Sequence, residues 1–349
     1  MSKTSFASTL DHLADSSALF KLADLNGLSN ARRADTQLFA ERWPGIAVER
    51  RREIVRGMGE LSEDNFEVEF TPLYRVAMHD ADPQVRAAAI DNLWESEDTA
   101  LIEPYLKFMT QDEASEVRGA AAKALGKYML LAEMEELDEE QAASVRQALL
   151  TTSRNPVEDL EVRRRAIESL GYLSDDEIRA VIEDAYNAPS EKLQASALSA
   201  MGRSLDQYWS GTILMELSNT NPEVRLEAVR ASGELELKRA VPALVDLLED
   251  PNRPVLLETI HALGQIGGPV ARQALEMMAE SEDEEVVEWA EDALAELEFS
   301  SGEDWLVYDF NARQADDAEP GEPGADDDEL DLDEAFRTLW QRRDNEFDD

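Results

Sequence analysis

The chain has 349 residues, with 77 Asp and Glu against 33 Lys and Arg, so its formal net charge is −44. Proteins that bind nucleic acid or anionic membranes use basic residues to meet the phosphates, so we expect neither partner. The absence of cysteine excludes disulfides, thiolate metal sites and cysteine nucleophiles. A hydrophobic content of 43% is enough for a folded core.

The N-terminal segment predicts a cytoplasmic protein. Asp11 and Asp15 stand where a secretory signal would be apolar, and Ser2 occupies the position at which myristoylation needs glycine. Residues 1–30 form either a helical cap for the rest of the chain or an unstructured leader with a docking segment. The apolar residues that could serve either role are Leu10, Leu13, Leu19, Phe20, Leu22 and Leu28.

A repeat of about 31 residues organises the middle of the chain. The strings DPQVRAAAIDNL, DLEVRRRAIESLG and NPEVRLEAVRASG begin at Asp82, Asp159 and Asn221. Their shared valine position is spaced by 32 and 45 residues and then four times by 31. This register is occupied by Val85, Val117, Val162, Leu193, Val224, Val255 and Val286. Internal periodicity of this length is typical of repeat architectures.

The spacing within each unit predicts a helical hairpin. Apolar or small residues follow the valine at helical intervals, as in Val224, Ala228, Val229 and Ser232, and a second apolar stretch closes the unit. A degenerate copy with Arg50 in the valine register brings the count to eight units over residues 31–299. N-cap candidates stand three residues before the register, namely Asp82, Asp159, Ser190, Asn221, Asn252 and Asp283. The glycines nine residues after it, Gly126, Gly171, Gly202, Gly233 and Gly264, are expected to form C-caps or tight turns.

The pattern D/N-P-x-V-R-x-x-A followed by A-V-P-A-L resembles the HEAT repeat, specifically its short bacterial type that bilin lyases also use. The resemblance implies an all-α fold, an α-solenoid of about eight two-helix repeats. It also implies a polar ladder in which the arginine after the register pairs with a capping aspartate. The residues that would form the ladder are Asp82, Arg86, Arg118, Asp159, Arg163, Asn221 and Arg225. Gln194, Leu256 and Val287 depart from the motif, which weakens the ladder toward the C-terminal repeats.

One step of the repeat is 14 residues longer than the others, around Met129 to Gln141. We interpret this insertion as a longer helix or loop, with a protruding element for partner contact as the alternative.

The sequence contains no arrangement that predicts catalysis. Deoxyhypusine-type hydroxylases of this fold bind iron through His-Glu pairs, whereas His12, His79 and His261 here are followed by Leu, Asp and Ala. The glycines follow the repeat and form no phosphate loop. We therefore predict no catalytic residues, no metal and no cofactor, and expect a protein that is not an enzyme.

The C-terminal fifty residues lie outside the repeats. Residues 300–312 are expected to fold back as an aromatic end cap made by Trp289, Trp305 and Phe310. Residues 313–328 have the composition of a disordered acidic linker. Residues 329–349 predict a short amphipathic helix that docks, to its own chain or to a partner, rather than fraying. Its apolar face is formed by Leu332, Phe336, Leu339 and Trp340.

Two functions agree with these observations. The first is a monomeric, non-enzymatic interaction scaffold whose curved acidic surface and C-terminal helix bind a protein partner with a basic segment. The alternative is a bilin-lyase-like enzyme or enzyme accessory that binds a small molecule in the groove of the solenoid. A groove with an apolar floor and convergent polar groups would favour the second function.

Overall fold

The computed structural model describes residues 5–94 and 96–312, and all regular secondary structure in this part of the chain is helical. The residues predicted as an acidic linker and a docking helix, 313–328 and 329–349, lie outside it. The chain divides into two compact units, unit 1 (residues 1–185) and unit 2 (residues 186–349).

Unit 1 contains the first ten helices, the last of which extends one residue into unit 2. They are α1 (Phe6–Ala14), α2 (Arg33–Arg42), α3 (Val48–Asp64), α4 (Thr71–Ala77), α5 (Pro83–Asp91), α6 (Ile102–Gln111), α7 (Ser115–Glu133), α8 (Glu139–Arg154), α9 (Leu160–Leu170) and α10 (Asp176–Tyr186). Unit 2 contains α11 (Glu191–Arg203), α12 (Ser210–Glu216), α13 (Pro222–Glu234), α14 (Val241–Leu247), α15 (Arg253–Ile266), α16 (Pro269–Met278) and α17 (Glu284–Ala312).

Each unit is a stack of helical hairpins, the arrangement of an α-solenoid. The odd-numbered helices from α3 to α17 carry the valine register, and we call them the first helices; α4 to α16, even-numbered, are the second helices. Every valine or leucine in the register is at most 5% exposed, because its side chain packs between neighbouring hairpins. The eight register positions of the sequence thus correspond to eight first helices among the described residues.

The first helices begin largely where the capping residues predict. The side chains of Asp82, Asp159, Asn221, Asn252 and Asp283 each accept a hydrogen bond from a backbone N–H of the first turn. Ser190 occupies the N-cap position of α11 without a side-chain capping bond.

The N-terminal segment packs against the first repeat of unit 1. Leu10, Leu13, Leu25 and Leu28 are at most 2% exposed. Arg50, which replaces the register valine, donates to the carbonyl of Ala18 at 2.7 Å, and its guanidinium lies 5.4 Å from the centre of the Phe20 ring. An arginine suits this register position because its neighbour is a loop with carbonyl groups that accept hydrogen bonds, rather than another repeat.

The insertion lengthens one hairpin without changing its type. Helices α7 and α8 have 19 and 16 residues, compared with 13 and 7 in the hairpin of α13 and α14. Met129 and Leu131 lie in the added turns and are buried. The interpretation as longer helical structure therefore describes the insertion, and its role in partner contact stays a prediction.

The glycine prediction was wrong for four of its five positions. Gly171 is the C-cap of α9, but Gly126, Gly202, Gly233 and Gly264 lie inside first helices. A Cβ on Gly202 would lie 2.9 Å from the Cα of Ala231, and one on Gly264 would lie 2.9 Å from the Cβ of Ala293. Glycine is needed here because the next first helix approaches too closely for a methyl group.

The turns after the first helices of unit 2 use a different position. Leu205, Glu236 and Gly267 have φ of 51°, 50° and 68°, and they follow one another at 31-residue intervals. This left-handed residue reverses the chain, as the bond from Leu237 N–H to the carbonyl of Ser232 illustrates. Only one of the three is a glycine, so sequence composition did not reveal the pattern.

The backbone of α17 continues without a break to Ala312. Trp305 and Phe310 therefore stand on the same helix as Trp289, whereas the sequence predicted a chain that folds back. Trp289 is 39% exposed. Its ring lies edge-on to that of His261, with 6.4 Å between the two ring centres. The capping role of these aromatic residues stays a prediction, and its test is a lower melting temperature after changing Trp305 and Phe310 to serine.

Candidate functional site

Four arginines form ion pairs at the junctions between successive hairpins. Arg51, Arg86, Arg118 and Arg225, which we call the junction arginines, each contact a carboxylate in the loop before the following first helix. The pairs are Arg51 with Asp80 (2.9 Å), Arg86 with Asp112 (2.8 Å), Arg118 with Glu158 (2.7 Å) and Arg225 with Asp250 (2.7 Å). All eight side chains are less than 20% exposed.

Each junction arginine also donates to carbonyl groups at the start of its own hairpin. Arg86 Nη1 bonds the carbonyl of Asp80 at 2.9 Å, and Arg225 Nη1 bonds that of Asn219 at 2.6 Å. One guanidinium therefore joins two successive loops. Burial of Asp250 would raise its pKa, but the hydrogen bonds from Arg225 and from the backbone N–H of Asn252 lower it overall.

The predicted partner of these arginines was the N-cap residue, and this was wrong. In three of the four junctions the arginine contacts the acid two residues before the N-cap. Asp80, Asp112 and Asp250 each stand two residues before an N-cap, and Glu158 stands one residue before Asp159. A recurring acid at this position was a sequence signal that the ladder prediction missed.

The other predicted ladder residues have different contacts. Asp82 accepts from Arg52 Nε at 2.9 Å rather than from the arginine that follows the register. Arg163 Nε donates to the carbonyl of Ser153 at 3.2 Å. Asn221 donates to Glu191 Oε2 at 2.7 Å in addition to capping α13.

In α11 and α15 the register residue is not followed by an arginine, and the acid that would pair with that arginine is then absent as well. Gln194 replaces the arginine in α11, and Asn219 stands where Asp250 stands one repeat later. Both amides meet the buried carboxylate of Glu216, Gln194 at 3.5 Å and Asn219 at 2.5 Å. The next replacement, Leu256, likewise coincides with Ser281 in the acid position.

Unit 1 contains a cavity of about 630 Å³ lined by the end of α3, the start of α4, the end of α5 and Lys123 of α7. Phe70, Tyr74 and Leu93 line it and are at most 3% exposed, whereas Phe66 and Trp94 are 94% and 64% exposed at its edge. We call this feature the aromatic groove. It was not predicted from the sequence, because its lining comes from several helices and the segment between α3 and α4, whose packing the repeat period does not specify.

The polar groups of the aromatic groove are mainly acidic. Three carboxylates, from Glu63, Glu69 and Asp91, face one ammonium, that of Lys123, which pairs with Asp91 at 3.2 Å. Burial raises the pKa of Tyr74 to about 12, and its hydroxyl forms no hydrogen bond of normal geometry although Ser62 and Asn92 stand nearby.

The described residues contain no cluster of three or more His, Cys, Asp or Glu side chains arranged to hold a metal ion. None of the helices in this same part of the chain combines the length and apolar character that crossing a membrane requires. The predicted docking residues Leu332, Phe336, Leu339 and Trp340 lie outside the described residues.

These features define a protein of stacked helical hairpins. The sequence pattern of HEAT repeats matches residues 71–158 in unit 1 and 212–295 in unit 2, so both units contain HEAT repeats. No curated protein matches the sequence.

Several solved structures share the helical-repeat arrangement at low similarity. An engineered protein is 22% identical over 56% of this chain and 96% of its own, with a TM-score of 0.38. YibA of Escherichia coli is 14% identical over 76% of this chain and 98% of its own (TM-score 0.39). The complex of CpcE and CpcF of phycocyanin lyase from Nostoc sp. PCC7120 is 18% identical over 54% and 74% (TM-score 0.40).

Proposed function

We propose that this protein is a non-enzymatic interaction scaffold whose acidic helical surface selects a protein partner with a basic segment. The observation that carries the proposal is the placement of the arginines. Each junction arginine is buried against a carboxylate that it neutralises, so the excess of carboxylates over basic groups remains with the residues outside these pairs.

The charge of the sequence supports the same proposal. Residues 1–78 carry a net charge of −2, residues 79–302 carry −28 and residues 303–349 carry −14. Most of the negative charge thus belongs to the repeats rather than to the ends. A field of one sign attracts oppositely charged partners and speeds their association.

In this proposal the C-terminal residues Leu332, Phe336, Leu339 and Trp340 provide a second contact for the partner. The test is purification of the tagged full chain from its native cells, followed by mass spectrometry of captured proteins. A partner with a basic segment should be recovered, less of it as salt is added, and less with the double variant Phe336→Ser/Trp340→Ser. The variant Gln341→Ser changes a polar residue of the same segment and should leave the recovery unchanged.

Capture that is insensitive both to salt and to the double variant would contradict the scaffold proposal. Recovery that depends on salt alone would retain the acidic surface and remove the C-terminal segment from the proposal.

The aromatic groove is the observation that bears on the small-molecule alternative, since it has an apolar floor with polar groups. Its lining has three carboxylates and one paired ammonium, which would repel the propionate groups of a bilin. We therefore place the bilin-lyase-like function second. A spectral shift of a bilin on mixing with the chain, lost in Trp94→Ala, would reverse that order.

A further inference from the structure

We propose that the aromatic groove of unit 1 is a docking site for a peptide of a partner protein that carries an aromatic or large aliphatic side chain flanked by arginine or lysine. This inference deepens the proposed function, on which it rests, by naming the place and the chemistry of the contact.

The first argument is the contrast in exposure within one small area. Phe66 and Trp94 are 94% and 64% exposed, although the floor beside them is almost completely buried. Leaving large aromatic faces in water is costly, at about 25 cal/mol per Å² of apolar surface. Tryptophan is also among the residues that contribute most to binding at interfaces. A ligand that covers both rings while filling the cavity would recover this free energy.

The edge of the cavity, more than its size, favours an anchored peptide. Its volume of about 630 Å³ lies in the range of pockets that enclose a small molecule and also admits a bulky side chain. A small molecule inside would leave the protruding Phe66 ring in solvent, whereas a peptide that inserts one residue and continues past the edge would cover it. The Tyr74 hydroxyl, buried without a normal hydrogen bond, offers a polar contact to the inserted group.

The charge around the groove selects the residues that flank the anchor. Glu63, Glu69 and Asp91 outnumber Lys123, whose ammonium is held by Asp91. An acidic peptide would be repelled here, and a basic one attracted. Arginine suits such a site because its guanidinium can both pair with carboxylates and stack on an aromatic face.

The test measures binding of a fluorescein-labelled peptide with a tryptophan and a leucine between pairs of arginines to the full chain by fluorescence polarisation. Trp94→Ala and Phe66→Ala should each weaken binding about thirtyfold, since hot-spot residues contribute about 2 kcal/mol or more and about 1.4 kcal/mol corresponds to a factor of ten. Glu63→Lys/Glu69→Lys should weaken it as well, and should restore binding to a peptide in which the arginines are replaced by glutamates.

Phe299→Ala is the matched control, since Phe299 is 73% exposed on unit 2 and outside the groove. It should leave the affinity unchanged. Because Phe66 and Trp94 are exposed, their substitution should also leave the melting temperature unchanged, which separates lost binding from lost folding.

Binding that is equal in Trp94→Ala and wild type would overturn the groove as the docking site. Equally strong binding of the charge-reversed peptide to wild type would overturn it too. A higher peptide affinity in Phe336→Ser/Trp340→Ser than in wild type would overturn the claim that a partner protein occupies the groove. The chain's own C-terminal segment would then be the occupant. Native-cell capture that persists in Trp94→Ala would leave the scaffold function standing while removing the groove from it.

Discussion

Unit 2 and unit 1 use the same hairpin with different regularity. In unit 2, the left-handed turn residues Leu205, Glu236 and Gly267 recur at 31-residue intervals, as do the glycines of the first helices. In unit 1, the left-handed residues of the described segments are Asn30 and Glu135, which share no repeat spacing, and one hairpin is lengthened. Equal spacing therefore places the turn residue and the close-packed glycine at equivalent points of each repeat, while irregular spacing accompanies features such as the aromatic groove.

The largest expected effect on the free energy of unfolding comes from removing the acid of a junction, and it should differ between the two units. Asp80 in unit 1 accepts from Arg51 and also from Trp43 Nε1 at 2.6 Å, whereas Asp250 in unit 2 has no such indole among its recorded contacts. Asp80→Ala should lower the free energy of unfolding of unit 1 by about 3–5 kcal/mol, because a buried arginine and an indole N–H lose their acceptor. Asp250→Ala should lower that of unit 2 by somewhat less.

Urea denaturation followed by circular dichroism measures both effects. Arg154→Ala removes an ion pair whose partners are 50% and 43% exposed, and should change the free energy by less than about 1 kcal/mol. If Asp80→Ala were as mild as this control, the junction arginines would not hold the hairpins together.

A second prediction concerns a half-buried carboxylate of unit 2. Burial raises the pKa of Glu234 to about 7, although Arg203 and Arg230 lower it and Glu227 and Glu258 raise it further. Because the folded state prefers the protonated form, the stability that this group provides is present below pH ~4.5 and is lost as the pH rises through about 7. Gln265 occupies the equivalent position one repeat later and carries no charge.

Glu234→Gln should therefore stabilise unit 2 by about 1–3 kcal/mol at pH ~8 and have little effect at pH ~4. Thermal unfolding at several pH values checks this, with Glu236→Gln, an exposed neighbour, as the control. A stabilisation that did not vary with pH would contradict the assignment.

A third prediction tests the close approach of the first helices. Gly264→Ala should destabilise unit 2 by about 1–2 kcal/mol, because the new methyl group would lie 2.9 Å from the Cβ of Ala293. Gly211→Ala, with no neighbouring atom within 4 Å of the added Cβ, should instead stabilise by about 0.5–1 kcal/mol. Denaturant midpoints of the two variants should shift in opposite directions.

A fourth prediction, of similar size, concerns the turns of unit 2. Glu236→Gly should stabilise by about 1 kcal/mol, because glycine adopts a φ of 50° without the strain of a side chain. Gly267→Ala is the reverse change at the equivalent position and should destabilise by about 1–2 kcal/mol. The melting temperatures would refute the shared turn geometry if both variants shifted in the same direction.

The sequence allowed correct prediction of the features that depend on local pattern. Hairpin positions follow from the register Val85 to Val286, and N-caps such as Asp82 and Asn221 follow from short polar side chains before a helix. These features need only the 3.6-residue period and the unsatisfied N–H groups of a helix start.

Features that depend on neighbouring hairpins were harder to predict. Gly202 and Gly267 are both glycines near a helix end, yet one permits close packing and the other a left-handed turn. The distinction depends on the distance to the next helix, which a single sequence does not contain. Phe66 and Trp94 line one cavity for the same reason, since it forms only after the segments that follow α3 and α5 have packed.

The lengthened hairpin of α7 and α8 shows how such a chain can grow. A Cβ on Gly126 would contact Ser169, 43 residues on, and the contact of Gly202 with Ala231 spans 29 residues, a difference equal to the 14-residue insertion. Fourteen residues make about four helical turns, so when divided between two antiparallel helices they leave each apolar stripe in phase. A hairpin tip can thus be extended in whole turns, and its length varied independently, while the contacts at the base of the hairpin keep their partners.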